Sequence, residues 1–109
     1  MKRKHVLMFF TDQQRYDTIH ALGNDEIVTP ALDQLSSDAI VYDKCYTPSP
    51  VCVPARLSML SGQYCARTGN NTNNKAQVYN GEGFYSEFTK AGYNSCCIGK
   101  MHYYTDLYA

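Results

Sequence analysis

Residues 49–62 read SPVCVPARLSMLSG, and this stretch does most to decide the fold. Pro54 suits the first turn of a helix, where its missing N–H would have no partner anyway, so we predict a helix over Pro54–Ser61. Gly62 is its expected stop. Cys52 would then lie at the helix N-terminus, where free N–H groups and the helix dipole attract anions. Arg56 follows one turn later, on the same face as Cys52.

The same stretch has a purely structural interpretation. Cys52 could be a buried thiol before an ordinary amphipathic helix, with Leu57 and Leu60 in the core. The five-residue pattern C-x-P-x-R does not separate these interpretations by itself. Polar clusters elsewhere in the chain do.

The rest of the chain alternates between strand-like and helix-like segments. Continuous apolar residues at His5–Phe10 predict a strand buried on both faces of a parallel sheet. The other predicted strands are Ile40–Tyr42 and Tyr93–Ile98, the predicted helices are Pro30–Asp38 and about Gly83–Ala91, and the polar stretch Thr68–Lys75 is a predicted loop. Strands separated by helices imply an α/β fold, with a mostly parallel sheet and flanking helices.

Composition limits the classes of function. A chain of 109 residues is one domain at most. Its formal net charge is zero, so we expect neither nucleic acid nor a membrane surface as a partner. The N-terminal apolar run is too short for a signal peptide, and five cysteines are an odd number. These features predict free thiols in a reducing, cytoplasmic compartment.

Two polar clusters follow predicted strands, where ligands bind in open α/β sheets. Asp12 and Gln13 come after the first strand, and their oxygen atoms suit calcium or magnesium better than zinc. Lys100 and His102 come after the last one, two apart, so that in an extended segment both point to the same side. Each cluster alone would more often be a turn or a solvated surface.

Together, Cys52-x-Pro-x-Arg56, Asp12-Gln13 and Gly99-Lys100-Met101-His102 resemble the type I sulfatase family. These are formylglycine-dependent enzymes of the alkaline-phosphatase-like superfamily. The resemblance implies a partial alkaline-phosphatase-like fold, in which residues 1–109 are the N-terminal portion of a catalytic domain that is truncated here. It also implies a sulfuric ester hydrolase acting on a carbohydrate or aryl sulfate ester.

The resemblance assigns a role to each residue. A formylglycine-generating enzyme would convert Cys52 to formylglycine, and the hydrate of that aldehyde would be the nucleophile. Arg56 and Lys100 would neutralise charge, Lys100 and His102 would bind the sulfate, and His102 would contact the ester oxygen or assist proton transfer. Asp12, Gln13 and an oxygen on modified Cys52 would hold a divalent metal, calcium first, with magnesium or manganese as alternatives.

Two differences from the family's motifs and a lack of metal ligands affect these roles. Ala55 stands where the family often has serine, and Gln13 replaces an aspartate, which makes the metal site less negative. Calcium takes about six to eight oxygen ligands, so we expect the 109 residues to be inactive alone. Two alternatives stay open: a phosphonate or phosphate ester hydrolase with the same nucleophile, and a non-catalytic α/β module that binds a partner or an anion.

Overall fold

The computed structural model describes residues 4–73 and 82–102. The chain divides into two compact units, Met1–Cys45 and Tyr46–Ala109. The first unit contains a 3₁₀ turn at His20–Leu22 and helix α1 at Pro30–Asp38. The second contains helices α2 at Cys52–Ser61, α3 at Cys65–Thr68 and α4 at Phe84–Lys90.

Helix α1 has the predicted bounds and begins with Pro30 at its first position. Side chains near its start bind the 3₁₀ turn. Thr29 Oγ1 accepts the His20 N–H at 2.9 Å, and Asp33 Oδ1 accepts the Ala21 N–H at 2.9 Å and the Thr29 hydroxyl at 2.8 Å. The Ala21 N–H, followed by the Thr29 hydroxyl, lowers the pKa of the Asp33 carboxyl because both bonds favour its charged form.

Helix α2 carries the core of the second unit. It begins two residues before the predicted start and ends, as predicted, before Gly62, whose φ of 68° lets its N–H bond to Ser58 O. The buried apolar side chains among the described residues are Val53, Leu57 and Leu60. All three project from α2, so this helix is the element around which the unit packs.

Helix α4 lies within the predicted range and packs against α2. Phe88 makes edge-to-face contacts with Phe84 and Tyr93, with ring centroids 6.4 and 5.4 Å apart. Gly83, the residue before α4, is buried so closely against Leu60 that an added Cβ would clash with the leucine side chain. The small residue therefore sets how near the two helices come.

The predicted strands are not found. Residues 4–73 and 82–102 contain helices and turns but no strand, so the mostly parallel sheet is not confirmed. In His5–Phe10 the side chains expected inside a sheet are exposed, with Phe9 at 89%, and Ile98 of the last predicted strand is 93% exposed. Apolar runs become strands only when a neighbouring strand bonds their N–H and C=O groups, and no described segment does so here.

Other predicted features are settled in part. Helix α3 was not predicted, and its last residue, Thr68, opens the predicted polar loop. That loop continues without helix through Asn73, while Asn74 and Lys75 lie outside the described residues. The five cysteines are free thiols. Within the described ranges, no helix is long and apolar enough to cross a membrane.

Candidate active site

Cys52 lies at the N-terminus of α2, as the position of Pro54 predicted, and is the first residue of the helix. The chain reaches it through a turn held by its own hydroxyl groups. Thr47 Oγ1 donates to Ser49 O at 2.8 Å, and the Val51 N–H donates to Ser49 Oγ at 3.2 Å. These local bonds are typical of Ser and Thr next to prolines, and they fix the direction in which the chain enters the helix.

The N-terminus of α2 has fewer free N–H groups than the sequence suggested. The Val53 N–H donates to Asn73 Oδ1 at 2.9 Å, and the Ala55 N–H donates to Val51 O at 3.0 Å. Pro54 has no N–H. Within the described residues, the Cys52 N–H is thus the one first-turn donor left for a ligand. The prediction that several free N–H groups of this helix attract an anion is therefore wrong.

Arg56 is buried, with 6% of its surface exposed. Its Nη1 atom donates a hydrogen bond to the carbonyl oxygen of Lys100 at 2.6 Å. A buried guanidinium needs hydrogen-bond acceptors to offset its desolvation, and this carbonyl is one of them. The contact holds the backbone of Lys100 against α2.

Lys100 reaches the cysteine from a distant part of the chain. Its Nζ atom donates to Cys52 Sγ at 3.8 Å, across 48 residues of sequence. Gly99, which precedes it, has a φ of 99°, a conformation that favours glycine and turns the chain there. Lys100 therefore contacts both Arg56, through its carbonyl, and Cys52, through its ammonium, and the catalytic roles of the three residues stay predictions.

His102 does not sit in the extended segment that we predicted. Its φ is 48°, in the left-handed region that non-glycine residues rarely adopt. The rule that residues two apart point to one side of a strand therefore does not apply to Lys100 and His102. The imidazole is half-buried and its Nδ1 atom is shielded from solvent. Rare backbone conformations of this kind are concentrated at functional sites.

Asp12 and Gln13 belong to the first unit, whereas Cys52 belongs to the second. Both are exposed, and Gln13 also has a left-handed backbone, with φ of 56°. The described parts of the chain contain no group of three or more His, Cys, Asp or Glu side chains placed to hold a metal. The metal site with Cys52 as a third ligand stays a prediction.

Asn73 was not predicted to be part of this site. Its loop was recognised as polar, but no local pattern connects residue 73 to residue 53. One signal was available: Val51 precedes the helix and has no side-chain acceptor to cap it. A helix that starts with such a residue needs a cap from elsewhere in the chain.

A comparison with protein-family models matches residues 4–106 to the model described as Sulfatase. The chain belongs to the sulfatase family. The resemblance inferred from the motifs is confirmed, and membership implies the alkaline-phosphatase-like fold whose sheet the described residues do not display.

Curated sulfatases resemble the chain along most of its length. It is 34% identical over 105 residues to an arylsulfatase of Clostridium perfringens and 36% identical over 102 residues to the sulfatase YidJ of Escherichia coli, covering 95% and 94% of this chain. An N-acetylglucosamine-6-O-sulfatase of Bacteroides thetaiotaomicron is 29% identical over 103 residues, 93% of this chain. No solved structure matches.

This sulfatase chain spans about a fifth of its relatives' length, with aligned shares of 22%, 20% and 18% in the three proteins named. The aligned fifth contains the Cys52, Arg56 and Lys100 cluster. The similarity to the family thus covers the segment that contains this cluster. The reaction of the whole protein is proposed below.

Proposed function

We propose that this chain supplies the nucleophile and part of the sulfate-binding surface of a sulfuric ester hydrolase. The observation that supports this function best is the Lys100 ammonium, 3.8 Å from Cys52 Sγ at the start of α2. A cation held beside the nucleophilic position attracts a sulfate ester and stabilises charge that develops on its oxygens.

The side chain at position 52 is the proposed nucleophile precursor. Cys52 is half-buried, so part of the residue stays accessible, which fits a group that must meet both a modifying enzyme and a substrate. Formylglycine at this position would supply, as a hydrate, one hydroxyl to attack sulfur and a second whose deprotonation expels sulfate and regenerates the aldehyde. The partner that makes it would be a formylglycine-generating enzyme.

The surrounding residues divide the remaining tasks. Lys100 would bind a sulfate oxygen through its ammonium, and Arg56 would keep Lys100 in reach by holding its carbonyl. His102 would bind the ester oxygen or assist proton transfer to the leaving group. The cysteine sulfur marks where a nucleophilic oxygen would stand, so the Lys100 contact would become a charge-assisted hydrogen bond.

The chemistry of Asp12 and Gln13 fits a hard divalent cation such as calcium. One carboxylate and one amide oxygen are ligands that calcium and magnesium accept, and both side chains are exposed rather than committed to a core. Two oxygens are fewer than the roughly six to eight that calcium takes, so further ligands must complete the cage. The ion would neutralise negative charge at the reacting centre.

The relatives' names support a substrate class. One relative is named an arylsulfatase and another an N-acetylglucosamine-6-O-sulfatase. We therefore propose an aryl or carbohydrate sulfate ester as the substrate.

The test uses the protein of the intact open reading frame, produced with a formylglycine-generating enzyme. Mass spectrometry of the Cys52 peptide should show the aldehyde, and 4-nitrophenyl sulfate should be hydrolysed. Cys52→Ala should abolish hydrolysis, while Cys97→Ala, which changes an exposed free thiol, should leave it unchanged. Faster cleavage of a phosphonate monoester than of the sulfate would replace the proposed substrate class. An unmodified Cys52 without hydrolysis would refute the catalytic proposal.

A further inference from the structure

Helix α2 begins after a residue that cannot cap it. Val51 occupies the capping position, with φ of −104° and ψ of 137°, and has no side-chain oxygen to accept an N–H of the first turn. Asn73 supplies the acceptor from 20 residues further on, because its Oδ1 accepts the Val53 N–H at 2.9 Å. Val53 is 1% exposed, so water is not a ready substitute for this bond.

This hydrogen bond acts directly on the backbone of Cys52. The Val53 N–H and the Cys52 carbonyl belong to one planar peptide unit, so holding the N–H also fixes the rotation about the Cα–C bond of Cys52. The direction of the Cys52 Cα–Cβ bond relative to the following peptide is set by that rotation. On its other side, the same residue meets the Lys100 ammonium.

We infer that Asn73 is a positioning residue for the reaction at Cys52, and this inference rests on the proposed function. Asn73 acts through the peptide that follows the nucleophile. The cap keeps position 52 at the distance from Lys100 that the structure shows. Displacing a reacting group by about 1 Å can lower the rate roughly a hundredfold. Loss of a cap next to the nucleophile can therefore lower the rate strongly.

The first measurement needs no substrate. Amide hydrogen exchange of Val53 in the full protein should be about two- to thirtyfold faster in Asn73→Ala, the range that loss of a helix cap gives. Asn73→Asp keeps an acceptor oxygen at the same reach and should retain slow exchange. Asn71→Ala is the matched control, because Asn71 is exposed in the same loop and makes no hydrogen bond within the described residues.

The second measurement is turnover per formylglycine, with the aldehyde content measured by mass spectrometry. Asn73→Ala should lower kcat at least tenfold with KM within twofold. Asn73→Asp should restore kcat, while its added negative charge raises KM for an anionic ester. A merely structural asparagine would not give this split between kcat and KM.

The outcomes are distinct. Unchanged Val53 exchange in Asn73→Ala overturns the inference, and so does an equal loss of kcat in Asn73→Asp, because the acceptor oxygen would then not be the cause. Absence of sulfate ester hydrolysis in the wild-type protein counts against the proposed function. Hydrogen exchange of the Val53 amide then tests the cap independently of catalysis. Faster exchange in Asn73→Ala supports the cap, and unchanged exchange refutes it.

Discussion

The Nη1 atom of Arg56 donates a hydrogen bond to the carbonyl oxygen of Lys100 at 2.6 Å, although 44 residues separate them in the sequence. The same lysine extends its ammonium to Cys52, four residues before Arg56. One turn of α2 therefore holds Lys100 at both ends, the backbone through Arg56 and the side chain through Cys52.

Replacing Arg56 should uncouple Lys100 from α2. Arg56→Ala leaves the Lys100 carbonyl without its charged donor, and we expect a loss of about 1.5–3 kcal/mol in the free energy of unfolding. Arg56→Lys should also destabilise, since an ammonium lacks the planar fork of the guanidinium. Urea unfolding measures both. Arg67→Ala, which changes an exposed arginine, should stay within about 0.5 kcal/mol; an equal loss there would contradict the prediction.

Replacing Lys100 should affect turnover more than stability. In the intact, formylglycine-containing protein, Lys100→Ala should lower kcat/KM for 4-nitrophenyl sulfate by about 10²–10³, because it removes a preorganised cation beside the nucleophile. Lys90→Ala is the matched control: Lys90 pairs on the surface with Glu82 and Glu87, and such pairs contribute little. Equal activity of the two variants would show that Lys100 has no role in the reaction.

Gln13→Asp should strengthen divalent metal binding. The change adds a carboxylate beside Asp12, and aspartate tolerates the left-handed backbone at this position, where φ is 56°. Calcium titration calorimetry on the intact protein should give a lower Kd. Gln13→Gly accepts the same backbone but removes the amide oxygen, so it should weaken binding; tighter binding there would mean that backbone strain, not ligand charge, limits affinity.

Gly83→Ala should destabilise the second unit by steric overlap alone. The glycine has an ordinary extended backbone, with φ of −100° and ψ of 171°, so alanine meets no backbone strain. Its Cβ would clash with the side chain of buried Leu60, and overpacking of this kind costs about 1–3 kcal/mol. In a double-mutant cycle measured by urea unfolding, Leu60→Ala should remove much of that cost; additive effects would exclude the clash with Leu60.

Asp33 should make the first unit sensitive to acid. Hydrogen bonds from the Ala21 N–H and the Thr29 hydroxyl lower its pKa in the folded state, so its contribution to stability is present above the unfolded pKa. That contribution is lost as the pH falls through the folded pKa. Unfolding followed between pH 5 and 2 should show a smaller acid-induced loss in Asp33→Ala than in the wild type. Asp25→Ala, which changes an exposed aspartate, should behave like the wild type.

The helices could be predicted because their signals are local. Pro30 and Pro54 mark the first turn of α1 and α2, and Gly62 supplies the left-handed residue that ends α2. Helix α3 has four residues, too few for any periodicity to show, and it was missed. The bounds of α4 were right to within one residue at each end.

The strands could not be predicted from local signals. His5–Phe10 has the composition of a buried strand, yet its side chains are exposed in the structure. A strand bonds to neighbours that can be far away in sequence, so composition shows only that the segment can accept a partner.

By itself, the sequence determined the helices with proline starts and glycine stops, the family, and the residue types of the candidate site. Tertiary structure alone decided that Arg56 bonds the Lys100 backbone, that Asn73 caps the helix that begins at Cys52, and that His102 leaves the extended conformation. The difference lies in how far apart in the sequence the interacting residues are. Helix signals act within a few residues, whereas these two bonds join residues 44 and 20 apart, and only the folded chain brings such groups within hydrogen-bonding distance.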